Sequence, residues 1–285
     1  MKTNNRVSLF HIGTQKAGST FLYNLLDKHP DISLSTFTEV NFFSNNFDRG
    51  NNWYTDSFKN TENKIDTSPK YFMTGETVAP RIKNYTDRSE QKPLFLLILR
   101  NPIDYLYSHF QMHLRHNFFK KNPEKFPTLE QDIIKFVSRY PGYLNRAMYS
   151  QILRKHWLSH FDISQFKIIS FEDFIRNQKK IIHEILSFYG IPTVELAANK
   201  TSKNSMLRFK FLFKTQSVIT KNEKLKNYLK SNKLFNFLYN NILTTKSSSK
   251  MNKENRKKLQ NIFKHDVQNL KELLGNNFEY WEDFK

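Results

Sequence analysis

Cysteine is absent from the 285 residues. Disulfides, thiolate metal sites and thiol nucleophiles are therefore excluded. Long hydrophobic runs are also missing. Residues 1–6 are polar, residues 7–12 are too short for a signal segment, and residues 94–99 make a run of strand length only. The chain reads as cytoplasmic and unprocessed, with no integral membrane segment. Acidic residues are in the minority, with 26 Asp and Glu against 45 Lys and Arg, a formal charge of +19. Such a field attracts polyanions without choosing among them.

What is present suits a folded chain. Hydrophobic residues make up 38%, and 27 are Phe, enough for a buried core. The length fits one large α/β domain over 1–285. Residues 7–12 read as a buried strand. A glycine-containing turn follows, then Phe21, Leu22, Leu25 and Leu26 at helical spacing. Residues 94–99 form a continuous apolar run, as for a strand covered on both faces. Asn101 and Pro102 then offer an N-cap and an N1 proline. Residues 166–171 give a third strand. The helix after it carries Ile181, Ile182, Ile185, Leu186 and Tyr189 and stops at Gly190. Strands alternating with helices predict a three-layer, mostly parallel sheet with a P-loop-like outline. From residue 200 the chain is basic and helical. Residues 244–250 read as a loop, and a last helix carries Leu259, Ile262, Phe263, Val267, Leu270, Leu273 and Leu274 on one stripe.

The first turn, Gly13-Thr14-Gln15-Lys16-Ala17-Gly18-Ser19-Thr20, has the makings of an anion cradle. Two glycines allow close backbone approach, a helix N-terminus points at the same spot, and Lys16, Ser19 and Thr20 add donors. The Gly-Lys-Ser/Thr of a Walker A loop is not there, because the lysine lies inside the loop.

In three segments the sequence resembles the sulfotransferases that use 3′-phosphoadenosine-5′-phosphosulfate (PAPS). Gly13 to Thr20 is similar to their 5′-phosphosulfate loop. Glu39-Val40-Asn41-Phe42-Phe43 is similar to their KE-x-x-FF segment. Arg100-Asn101-Pro102 with Tyr107-Ser108 is similar to their 3′-phosphate motif. Fainter echoes are Arg49-Gly50 before Trp53-Tyr54, Ser68-Pro69-Lys70-Tyr71, Ala79-Pro80-Arg81-Ile82, Tyr149 ahead of Trp157, Phe171-Glu172-Asp173 and Trp281. The recognisable motifs span 7–175, and the pattern is nearest the glycan-modifying branch, with heparan sulfate N- and O-sulfotransferases.

The resemblance implies sulfuryl transfer from PAPS to a hydroxyl or amine, with a glycan as acceptor. It places Lys16 on the phosphosulfate bridge and Gln15, Ala17, Gly18, Ser19 and Thr20 around the 5′ phosphate. Arg100 and Ser108 would hold the 3′ phosphate, and Glu39 would be the base. A sulfuryl group has one ionisable oxygen fewer than a phosphoryl group, so one lysine can serve without a metal. Lys70, Arg81, Arg115 and His116 are candidate acceptor contacts. Two departures stand out. Thr38 replaces the lysine that often precedes the family's glutamate. The later nucleotide loop has only Lys200 to Ser205 and its neighbour Asn199 as a counterpart.

Other features have plainer readings. His109, His113 and His116 share a helical face, read as a polar face at the cleft mouth rather than a metal site. Trp53 and Tyr54 can stack on a sugar or simply pack. Two rival functions remain open. A P-loop nucleotide kinase or NTPase needs a carboxylate at a strand end, yet residues 94–99 run into Arg100. A basic nucleic-acid or membrane module accounts for the charge and leaves the ordered motifs unexplained; no nucleic-acid partner is expected. Oligomeric state is not legible.

Overall fold

The computed structural model describes residues 6–59, 61–87, 89, 91–119, 132–194, 206–207, 244–245, 251–275 and 278–285, with backbone only over 113–119. Contacts group the chain into two compact units, Lys200–Met251 and the remainder. Met206–Leu207 and Thr244–Thr245 belong to the first and pair antiparallel with each other. Thr244 and Thr245 thus form a short strand where the sequence suggests a loop.

The larger unit is built on five strands: β1 (Leu9–Gly13), β2 (Ile32–Leu34), β3 (Asn63–Thr67), β4 (Leu94–Leu99) and β5 (Phe166–Ser170). Every pairing is parallel, in the order β2-β3-β1-β4-β5. The three strands read from the sequence are found as β1, β4 and β5, while β2 and β3 carry no long apolar run and escape the sequence pattern.

Side chains of β4 alternate between the two faces, as strand geometry requires. Leu96 and Ile98 pack with Leu22, Leu25 and Leu26 of α1 (Ser19–Leu26). Phe95 stacks on Phe10 at 5.6 Å and on Phe166 at 4.8 Å, and meets Trp157 edge-on. Both faces are thus apolar, which explains why β4 reads as an unbroken hydrophobic run.

Three short or medium helices and then a longer one follow α1 in the chain. They are α2 (Phe42–Asn45), α3 (Gly50–Asp56), α4 (Gly75–Thr86) and α5 (Pro102–Phe119). Asn101 accepts from the Ile103 N–H at 3.0 Å, the N-cap that the Asn-Pro pair promises. Next come α6 (Ile133–Arg139), α7 (Gly142–Asn145), α8 (Tyr149–Ile152), α9 (Phe171–Arg176), α10 (Gln178–Phe188) and α11 (Lys253–Leu274).

The apolar stripe of α11 differs from expectation at one place. Ile262 is exposed, while Asp266 is buried. Asp266 accepts from the Ser150 and Gln151 N–H groups and the Ser150 hydroxyl. A buried carboxylate satisfied by three donors at the start of α8 is tolerable, and hydrophobic periodicity cannot find it.

Candidate functional site

Strand order reverses at β1, which lies between β3 and β4. The crevice beyond its carboxyl end is where open parallel sheets bind ligands. The loop leaving β1 sits there. Thr14 ties it to the sheet, its N–H and hydroxyl both donating to the Ile98 carbonyl at 2.8 and 3.0 Å. Lys16 and Gly18 adopt positive φ of 63° and 81°. Gly18 has a second constraint, since an added Cβ would lie 3.0 Å from the Phe171 ring. Ala17 is buried, Gln15, Lys16 and Ser19 are half-buried, and Thr20 is exposed. The eight-residue α1 directs its N-terminus at this turn, so backbone donors and the helix dipole favour an anion.

Arg100 follows β4. Its Nη1 donates to the Lys16 carbonyl at 3.0 Å, and its guanidinium lies 5.1 Å over the Phe171 ring. No carboxylate pairs with it among the described residues. Ser108 is half-buried on α5. Behind Arg100, Glu172 accepts from the Asn101 N–H at 3.1 Å, the Ser170 hydroxyl at 2.9 Å and the Trp281 indole at 2.7 Å. Asp283 accepts from the Asn101 amide and from Arg256. The faint sequence echoes at 171–173 and 281 thus brace the strand end that carries Arg100.

Glu39 lies opposite, on an exposed turn. A small cleft is lined by Ser19, Thr20 and Tyr23 and by Thr38, Glu39, Thr67 and Pro69. The anion cradle and the carboxylate, twenty residues apart in sequence, share one cavity.

The Glu39 turn is gripped from below by a network the sequence reading missed. Asp66, fully buried at the end of β3, accepts from the Tyr54 hydroxyl at 2.8 Å, the Tyr71 hydroxyl at 3.0 Å and the Ser68 hydroxyl at 2.6 Å. Ser68 in turn accepts from the Asn41 N–H, and Tyr71 accepts from the Phe43 N–H. Thr67 donates to the Thr38 carbonyl at 3.1 Å. Burial pushes the Asp66 carboxyl up to about 6; its three hydroxyl donors pull it down and the Glu39 charge adds to the rise. Tyr54 is accordingly a packed residue, closing the sugar-stacking option for that ring.

The remaining candidates separate. Lys70 donates to the Asn45 side chain at 2.8 Å. Arg81 donates to the Phe43 carbonyl at 2.9 Å and lies 4.2 Å over the Phe47 ring, holding α2. Arg115 and His116 lie on α5, with side chains outside the described residues, as is that of His113. Lys200 to Ser205 also lies outside them. His109 corrects the polar-face reading, for it is 1% exposed between Tyr105 and Tyr143. Burial holds its imidazole down to about 3, with the charges of Lys16, Arg146 and Arg100 acting in the same direction. No helix among the described residues is long and apolar enough to cross a membrane.

Over 199 residues the chain is 27% identical to the bifunctional heparan sulfate N-deacetylase/N-sulfotransferase 1 of Caenorhabditis briggsae, covering 65% of this chain and 22% of that protein. It is 27% identical over 193 residues to the human heparan sulfate glucosamine 3-O-sulfotransferase 3B1, covering 64% and 46%. The human bifunctional heparan sulfate N-deacetylase/N-sulfotransferase 3 is 30% identical over 210 residues, covering 67% and 23%. The chain therefore spans less than half the length of these relatives. In fold it is similar to a sulfotransferase from Alicyclobacillus acidocaldarius, with a TM-score of 0.64, 18% identity and coverage of 97% of this chain and 99% of that one. The model of the sulfotransferase domain matches residues 8–272; with cradle, strand-end arginine and facing carboxylate in the matched span, the chain belongs to the sulfotransferase domain family.

Proposed function

We propose that this protein transfers a sulfuryl group from PAPS to a hydroxyl or amine of a glycan. The observation that carries the reading is the shared cleft, which sets Glu39 against Ser19 and Thr20 at the N-terminus of α1. The named activities of the relatives, N- and 3-O-sulfation of heparan sulfate, support a saccharide acceptor.

In this mechanism the backbone of residues 17–20 and the Ser19 and Thr20 hydroxyls hold the 5′ phosphate, with Gln15 at the loop's rim. Arg100 and Ser108 hold the 3′ phosphate by charge-assisted hydrogen bonds. Glu39 takes the proton as the acceptor oxygen or nitrogen attacks sulfur in line. The S–O bond to the phosphate breaks as the new bond forms, and 3′-phosphoadenosine-5′-phosphate (PAP) leaves. Lys16 offsets the negative charge growing on the bridging oxygen. Lys70, Arg115 and His116 are the acceptor-side groups of this reading.

Two features speak against a nucleotide kinase. The lysine is at the wrong place for a Walker A loop, and β4 delivers a guanidinium where a metal-binding carboxylate is needed. The test is calorimetry with PAP against ATP and Mg²⁺, followed by an acceptor screen with labelled PAPS. Preference for PAP with label entering a polysaccharide is the expected result; equal binding of both nucleotides would overturn the reading.

A further inference from the structure

Four large hydrophobic side chains are exposed among the described residues, and Phe37 is the one aromatic, at 48%. Its position is fixed. The Phe37 N–H donates to the Ser35 hydroxyl at 3.1 Å, and the Thr36 N–H donates to the Ser57 carbonyl at 2.9 Å, joining the segment to the end of α3. On its other side the Thr38 carbonyl is held by Thr67. The Phe37 ring lies 5.6 Å from Trp53 at 30°, and the Arg49 guanidinium lies 4.8 Å over Trp53. Arg49 is exposed and pairs with no carboxylate among the described residues.

An exposed aromatic and a guanidinium without a carboxylate partner among the described residues, both held against Trp53, are ready to bind, because little side-chain freedom is lost on contact. Its place is equally telling. Phe37 is two residues from Glu39, about 7 Å of extended chain, and Thr38 between them lines the cleft.

We propose that Phe37, Trp53 and Arg49 form an acceptor-binding ledge, with one pyranose ring of an anionic saccharide laid on Phe37 and its carboxylate or sulfate on Arg49. This rests on the glycan reading above and deepens it. A pyranose presents an apolar C–H face to an aromatic ring and a charged substituent at its edge, which matches an exposed ring and a cation held against the same indole. A single-stranded nucleic acid needs successive stacking platforms along a groove, and the ledge offers one.

The probes are an unsulfated, de-N-acetylated heparosan oligosaccharide and the same oligosaccharide with its carboxylates reduced to alcohols, each titrated by calorimetry with PAP present. Phe37→Ala is expected to weaken both about fivefold. Arg49→Gln is expected to weaken the charged form by a similar factor and leave the reduced form unchanged. PAP affinity stays within about twofold of wild type in both variants, which also shows that they fold. The ledge is overturned if either variant binds the charged oligosaccharide normally, if PAP affinity falls in proportion, or if a single-stranded oligonucleotide loses as much as the saccharide. Wild-type protein that binds PAP and neither oligosaccharide overturns the glycan reading itself, a failure visible before any variant is made.

Discussion

Arg100 donates to the carbonyl oxygen of Lys16 at 3.0 Å. One guanidinium therefore shapes the turn that carries the lysine, and in the proposed mechanism it also holds the 3′ phosphate. Arg100→Ala should raise the PAP dissociation constant by tenfold or more, and lower kcat to a smaller degree because the turn loosens. Arg100→Lys keeps the charge and loses the fork, so it should recover only part of the affinity. Calorimetry with PAP and steady-state kinetics check both; unchanged PAP affinity in Arg100→Ala would remove it from the donor site.

Lys16→Ala should behave in the opposite sense. Its charge matters most as the bridging oxygen becomes negative, so kcat should fall about 10²-fold, close to 2.7 kcal/mol of barrier. PAP binding should change far less. Single-turnover measurement at saturating donor reads this directly, and a near-normal rate would exclude the role.

Glu39→Gln should bind donor and acceptor while transferring slowly, by 10²-fold or more. Asp66→Asn should lower kcat about tenfold, since one of its hydroxyl donors must turn away and the grip on Asn41 or Phe43 weakens. Because Asp66 acts through the Glu39 turn, adding Asp66→Asn to Glu39→Gln should cost almost nothing further. Additive losses would mean that Asp66 supports the fold at large.

Acid should destabilise the protein through its buried histidines. His11 is held down to about 4 by burial, and His109 to about 3. Unfolded histidines titrate near 6.5, so between that pH and about 4 the unfolded chain binds more protons. Stability is full above pH 6.5 and falls as pH drops through this window. Asp66, raised from 3.8 to about 6, acts in the reverse direction and blunts the fall. Melting temperatures from pH 4 to 7.5 should slope less in His11→Leu than in wild type; parallel curves would contradict this.

The sequence made some of this visible and concealed the rest for physical reasons. The cradle, Arg100 and the Asn101 cap are local, each a few residues whose spacing states its geometry. Asp66 is invisible because its importance comes from Tyr54, Ser68 and Tyr71 meeting in space around a carboxylate that looks like any strand-end charge. Arg81 shows the converse, a cation that reads as a ligand contact until its bonds to the Phe43 carbonyl are seen. His109 sits at helical spacing with two other histidines, and only the packing of Tyr105 and Tyr143 reveals that it is buried. β2 and β3 are short or mixed in polarity and leave no clear period.

The brace behind Arg100 also has a temporal side. Glu172 and Asn101 are completed by Trp281 and Asp283, 109 and 182 residues further along the chain. During synthesis the sheet and the cradle have all their strands once β5 has emerged, yet the strand end bearing Arg100 stays half-fastened until residues 281–283 are made. A nascent chain would thus hold a formed cradle before the brace behind Arg100 is complete, and contacts of such long sequence separation are the slow ones to form.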